Sequence, residues 1–105
     1  MFRRVNKVHF VGIGGIGMSG IAELLLNLDF KVSGSDLNDS DIIKNLKSQG
    51  AKISDEHHIN NIKNCEVVVY SSAVSDDNVE LIEAVKRNIP IITVSYTHLT
   101  LPTKA

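Results

Sequence analysis

The chain has 105 residues, 43% of them apolar and 22% charged, with 11 basic against 12 acidic side chains for a formal net charge of -1. That size suits one small domain burying roughly 60 to 70% of its unfolded surface and leaves no room for a second full one. The single cysteine, Cys65, excludes an intramolecular disulfide framework and reads as cytosolic, no apolar run approaches the roughly 18 to 20 residues of a membrane span, and the near-neutral balance offers no global field for nucleic acid.

In chain order, apolar runs of strand type alternate with segments of helical period, the pattern of a parallel α/β sheet. After Met1-Phe2-Arg3-Arg4, which does not lead into a signal-peptide core, Lys7 to Ile13 (KVHFVGI) reads as a buried central strand. Ile16 to Leu28 is almost wholly apolar or small, too long for a strand and suited to a helix packed on a sheet. Lys31 to Ser35 is a second strand, and the polar stretch Asp36 to Ser40 offers N-caps for a helix over Asp41 to Ser48. Ile42, Ile43 and Leu46 are expected on its inner face, with Gly50 at its C-terminal stop. Ala51 to Ser54 reads as a third strand, Asn60 to Asn64 as a short turn, and Glu66 to Ser71 (EVVVYS) as a fourth strand buried on both faces. A helix over Asp77 to Asn88 is expected to turn Leu81, Ile82, Val85 and Ile89 inward, with Ser75 to Asp77 at its positive end. Pro90 stops it, and Ile91 to Val94 is a fifth strand. Right-handed crossovers then give a three-layer, doubly wound, Rossmann-like α/β fold of about five strands in order 3-2-1-4-5.

The turn between the first strand and first helix holds five glycines in the nine residues from Gly12 to Gly20. Gly12, Gly14 and Gly17 satisfy G-x-G-x-x-G where it has mechanical meaning, after a strand and opening a helix. A tight turn and close approach of backbone N–H groups to phosphate oxygens both exclude a Cβ. The helix N-terminus adds partial positive charge and free donors, so a diphosphate can be bound without lysine. Met18 and Ser19 follow Gly17 where a Walker A loop needs Lys and Ser or Thr. Asp36 ends the second strand 19 residues after Gly17, where a dinucleotide fold places a ribose-binding acid. On spacing alone NAD is the default ligand of an oxidoreductase module or nucleotide sensor, and an Asx-turn ahead of the second helix is the structural alternative for Asp36.

Longer strings are more specific. His9 to Ala22 (HFVGIGGIGMSGIA), Ser33-Gly34-Ser35-Asp36, and Tyr70-Ser71-Ser72-Ala73-Val74-Ser75 with Asn78 resemble the N-terminal domain of the Mur ligases, the amino-acid-adding enzymes of peptidoglycan synthesis, and within them the branch that adds alanine or recycles murein tripeptide. His57 with Asn61 matches a His-x-x-x-Asn element of that domain, although Glu56 departs from the small residue common before the histidine. The resemblance runs from about Val5 to Ile92 and implies a different ligand, the UDP part of UDP-N-acetylmuramic acid. By carry-over, Gly12, Gly14, Gly15, Ile16 and Gly17 line the diphosphate, with amides from Gly14, Gly15 and Gly17. Ser35 and Asp36 lie by the uridine, and His57 with Ser71, Ser72 and Ala73 edges the nucleotide crevice. The family uses ATP and Mg²⁺ to activate the muramoyl carboxylate as an acyl phosphate that the amino acid then attacks. Its ATP loop belongs to a central domain and does not occur in these residues. This stretch is therefore expected to hold substrate in the cytoplasm, with no cofactor of its own, and not to ligate without the central and C-terminal domains.

Residues 1–94 form the expected domain. Ser95 to Ala105 (SYTHLTLPTKA) has neither helical period nor the Arg- and Glu-containing segment the family would supply. It resembles the translation of adapter or vector sequence, and the chain reads as a truncated gene with a foreign tail. Among the other residues, Cys65 is a small half-buried side chain rather than a nucleophile. His57-His58 has no accompanying ligands at zinc spacing. His9 is structural, and Asp36, Asp39 and Asp41 form a solvated turn and cap rather than a Mg²⁺ site.

Overall fold

The computed structural model describes residues 6–15 and 17–94. Five parallel strands, β1 (Lys7–Val11), β2 (Lys31–Ser35), β3 (Lys52–Ser54), β4 (Val67–Ser71) and β5 (Ile91–Val94), lie in the order 3-2-1-4-5. Helices α1 (Met18–Asn27) and α2 (Asp41–Ser48) cover one face, and α3 (Val79–Lys86) with a single 3₁₀ turn, Ile59–Ile62, covers the other. The doubly wound topology expected from the alternation of runs is the one observed. The expected tail, Ser95 to Ala105, lies outside the described residues, as does Ile16. Among the described residues no helix is long and apolar enough to cross a membrane.

Side-chain alternation along the strands divides the interior. Val8, Phe10, Val32 and Val69 point to the first face and meet Met18 and Ala22 of α1 and Ile43 and Leu46 of α2. Val11 and Val68 point to the second, against Ile62, Leu81 and Ala84. Gly34 of β2 is required by the first face, because a Cβ there would stand only 2.7 Å from the Ile13 side chain. Ser40 caps α2 by accepting from Ile43 N–H at 3.3 Å. Gly50, at φ +112°, takes the left-handed position that ends it.

Several boundaries and faces differ from expectation. β1 ends at Val11 rather than Ile13, because Gly12 turns to φ +77° and the amides of Gly12 and Ile13 both reach the Ser35 carbonyl. α1 begins at Met18, and its Leu24 and the C-cap Leu28 are exposed, so the helix buries a stripe and not its whole circumference. The 3₁₀ turn and β4 each start one residue away from the expected position, and β3 omits Ala51. α3 starts at Val79, with Asn78 as its cap, and ends at Lys86 because Asn88 adopts φ +60°. Its inner face is Glu80, Leu81 and Ala84, while Ile82 and Val85 are exposed. Ile42 of α2 is likewise exposed. For the helices, the apolar residues alone fitted more than one stripe, and tertiary contact chose between them.

Candidate functional site

The loops that leave the carboxyl ends of β1, β2, β3 and β4 converge at one end of the sheet. The glycine turn is held there by its own backbone: Gly12 N–H donates to the Ser35 carbonyl at 2.7 Å, and Gly15 N–H to the Gly12 carbonyl at 3.0 Å. Gly14 N–H donates to Asp36 Oδ2 at 2.8 Å, while Asp36 Oδ1 accepts from Asn38 N–H at 2.9 Å in an Asx-turn. Both carboxylate oxygens of Asp36 thus have partners in the chain. A Cβ on Gly14 would stand 3.0 Å from both Asp36 Oδ2 and Ile43 Cδ1, so glycine is what lets this closure form. Of the three amides expected to face a diphosphate, those of Gly14 and Gly15 are engaged internally. Gly17, at φ +81°, opens α1 with no side-chain cap, and its amide has no acceptor among the described residues.

Beside this turn lies a buried carboxylate. Glu80 Oε1 accepts from His9 Nε2–H at 2.7 Å and from the Ser35 hydroxyl at 2.9 Å. Its Oε2 accepts from Asn61 Nδ2 at 2.6 Å and from His58 N–H at 3.0 Å. Burial by itself would raise the Glu80 carboxyl's pKa. The hydrogen bond and charge of His9, with the Asn61 amide and the His58 N–H, outweigh it and hold Glu80 below the ordinary carboxylate range. His57 completes the cluster, its Nδ1 lying 2.7 Å from Ser35 Oγ and 3.7 Å from Glu80 Oε2. Helix α3, two strands and the β3–β4 connection are tied to one side chain, and no buried side-chain polar atom among the described residues lacks a partner.

Ser35, expected beside the uridine, is fully buried and serves this network. His57 is partly buried beside Ser35 and Glu80, and Asn61 anchors the loop behind it. Ser71 is buried and caps its own turn by accepting from Ala73 N–H at 3.2 Å, leaving Ser72 and Ala73 exposed at the carboxyl end. Val74 packs beside Gly12, which joins the strand-four turn to the glycine turn. Cys65 is far from this end, and burial pushes its thiol up to about 11, which removes it as a nucleophile. Glu80 was not singled out from the sequence. The signal was His9 inside a strand buried on both faces, since a buried imidazole requires a partner and the partner is commonly an acid.

Charge is segregated along the strands. The four loops at the carboxyl end carry Asp36, Asp39, Asp55, Glu56, Asp76 and Asp77 and neither Lys nor Arg. A cavity of about 330 Å³ there is lined by Asp36, Asp39, Asp55, Ile43 and Ser54, with one cation, Lys47 of α2. A larger one, about 630 Å³, lies at the amino ends and is lined by Lys7, Lys31, Lys52 and Lys63. None of the candidate ligand-binding residues touches the larger cavity, although Ser33 of the Ser33–Asp36 string lines it.

A glycine-rich strand-to-helix turn, an acid closing the second strand and ligand-facing loops at the carboxyl ends define a Rossmann-type domain. Residues 7–97 match the model of the Mur ligase family, catalytic domain, and the chain belongs to that family. It is 58% identical over 92 residues to the UDP-N-acetylmuramate–L-alanine ligase of Pelobacter propionicus, a match covering 88% of this chain and 20% of that protein. The crystal structure of the UDP-N-acetylmuramate-alanine ligase of Thermotoga maritima superposes with a TM-score of 0.79 at 36% identity, covering 83% of this chain and 20% of the other. A murein peptide ligase of Psychrobacter arcticus shares the fold, with a TM-score of 0.76 at 23% identity over 82% of this chain and 18% of that one. The chain thus spans about a fifth of the length of the curated relatives it matches.

Proposed function

We propose that the carboxyl-end crevice binds the UDP part of UDP-N-acetylmuramic acid, and that this chain is the substrate-holding N-terminal portion of a cytoplasmic, ATP-dependent ligase that adds L-alanine to that substrate in peptidoglycan synthesis. The observation that carries the reading is the meeting of the glycine turn, His57 and the strand-four turn at one end of the sheet, in a chain 58% identical to a ligase of that name. The Gly17 amide, without an acceptor among the described residues, and the positive end of α1 would take the diphosphate, and Ser72 and Ala73 would edge the crevice. Opening of the Asp36–Gly14 contact would release a second amide.

The residues present do not fit the ATP and Mg²⁺ of the family's reaction. Met18 is fully buried in the core where a phosphate-binding lysine would follow the last glycine, and no Gly-Lys-Thr string occurs in the chain. Those groups, and the amide-forming step, would be supplied by central and C-terminal domains of a longer parent. A second reading, an NAD-binding module, is favoured by the spacing of Asp36 but weakened by the engagement of both its oxygens within the chain. Calorimetric titration of the 105-residue chain with UDP-N-acetylmuramic acid and with NAD discriminates the two. Tighter binding of the UDP-sugar is expected, tighter binding of NAD overturns the reading, and binding of neither leaves a chain inert by itself.

A further inference from the structure

The donors and acceptors around Glu80 leave one place for the His57 proton. An ionised carboxylate only accepts, and Glu80 Oε1 lies 2.9 Å from Ser35 Oγ in a fully buried space. Without a proton between them, two oxygen lone pairs would face each other in a region of low dielectric, so the single Ser35 proton points at Glu80. Ser35 Oγ can then only accept from its other neighbour, His57 Nδ1, at 2.7 Å. The His57 proton is therefore on Nδ1. Its Nε2 has no partner among the described residues, and because no buried side-chain nitrogen or oxygen there is unpaired, Nε2 is open to solvent. His58, next in the chain, is committed elsewhere: its Nδ1 accepts from Asn60 N–H at 3.0 Å and its own N–H goes to Glu80.

We propose that Glu80 is the positioning residue of this crevice: acting through Ser35, it fixes the His57 proton on Nδ1. Nε2 is thereby left open as an acceptor that selects a ligand group offering a hydrogen-bond donor, such as a sugar hydroxyl or a nucleobase imide N–H. The selection half rests on the UDP-sugar reading above. A lysine or arginine at this place would recruit phosphate instead. With His57 acting as an acceptor, recognition is divided: the glycine turn takes the anion, and the imidazole reads a neutral part of the ligand.

Glu80→Gln tests the relay. The Asn61 amide and the His58 N–H both donate, so the Gln carbonyl oxygen must face them and its NH₂ must face Ser35 and His9. The NH₂ then donates to Ser35 Oγ, the Ser35 proton turns to His57 Nδ1, and the histidine proton moves to Nε2. Long-range ¹⁵N–¹H NMR of the 105-residue chain reads the two tautomers directly. The expected result is Nδ1–H in the wild type and Nε2–H in Glu80→Gln. Binding of UDP-N-acetylmuramic acid should weaken about tenfold in the variant, the equivalent of one hydrogen bond. Ser35→Ala keeps the carboxylate but cuts the relay, and should relax His57 to a mixture of tautomers; it keeps the test decisive if Glu80→Gln fails to fold. Wild-type His57 protonated on Nε2, or Nδ1–H persisting undiminished in both variants, overturns the proposal. If the tautomers behave as expected and the wild type does not bind the UDP-sugar, the positioning role stands and the ligand reading falls with the selection half.

Discussion

The face of the sheet under α1 and α2 and the face under α3 and the 3₁₀ turn are drawn from the same strands but filled with different chemistry. On the first, Val8, Phe10, Val32 and Val69 meet aliphatic side chains, and the only special requirement is the missing Cβ of Gly34. On the second, the apolar cluster is small, and the alternate positions His9 and Ser35 converge with Glu80 in a network whose members depend on one another. The apolar face gains free energy roughly in proportion to area removed from water and tolerates swaps that conserve volume. The polar face gains little net free energy per hydrogen bond but costs heavily when one partner is lost, so it specifies geometry more than it adds stability. Among the candidate site residues, Ser35 and His57 belong to the face that specifies, while Gly14 abuts Ile43 of the other.

The sharpest way to break this contrast is to damage each face once. Phe10→Ala should cost about 3 to 5 kcal/mol, the range for deleting a fully buried aromatic side chain, and urea denaturation should show a lower midpoint with an unchanged slope. Glu80→Ala should follow at about 3 kcal/mol, because four donors lose their acceptor in a buried space. A cost near zero would mean the network contributes nothing to folding.

The pH dependence sharpens the comparison further. Because the Glu80 carboxyl is held below its ordinary value in the folded chain, the unfolded chain takes up that proton first as pH falls. The stabilisation is complete above about pH 4.3, the ordinary glutamate value, and is lost as pH drops through the lowered folded value. Denaturation midpoints measured on acidification should fall in the wild type, less so in Glu80→Gln, and as steeply as wild type in Phe10→Ala. Gly34→Ala should cost about 1 to 3 kcal/mol by driving Ile13 off the sheet, and amide shifts in the glycine turn would report the displacement. The smallest effect has the opposite sign: Gly20, exposed in α1 with open space around its Cβ position, should stabilise by up to about 1 kcal/mol on change to Ala. Thermal denaturation checks it, and a simultaneous loss of UDP-sugar binding would show that ligand approach is what keeps glycine there.

The strand order, the parallel sheet and the glycine turn were legible because each is written locally: Val- and Ile-rich runs, helical spacing, and glycines at a strand-to-helix turn. The orientation of α3 was not. Leu81, Ile82 and Val85 made one plausible inner stripe, and Glu80 looked like a solvent-facing charge, because a buried carboxylate makes sense only alongside His9, 71 positions away. The same distance hid the role of Ser35, which by position belonged with Asp36 at the crevice and by burial belongs with Glu80. The resemblance paired His57 with Asn61, and both lie beside Glu80, but their hydrogen bonds depend on a helix that no local string encodes.

The gathering of carboxylates at one end of the strands and of lysines at the other has a kinetic consequence. A diphosphate arriving at the glycine turn would pass six loop carboxylates and one lysine, Lys47, so its capture would be slowed by long-range repulsion rather than hastened by attraction. Dissolved salt screens that repulsion over about 8 to 10 Å at physiological ionic strength. Raising the ionic strength should then speed association, the reverse of what lysine-lined anion sites do, and the bound lifetime, governed by short-range amide contacts, should change much less.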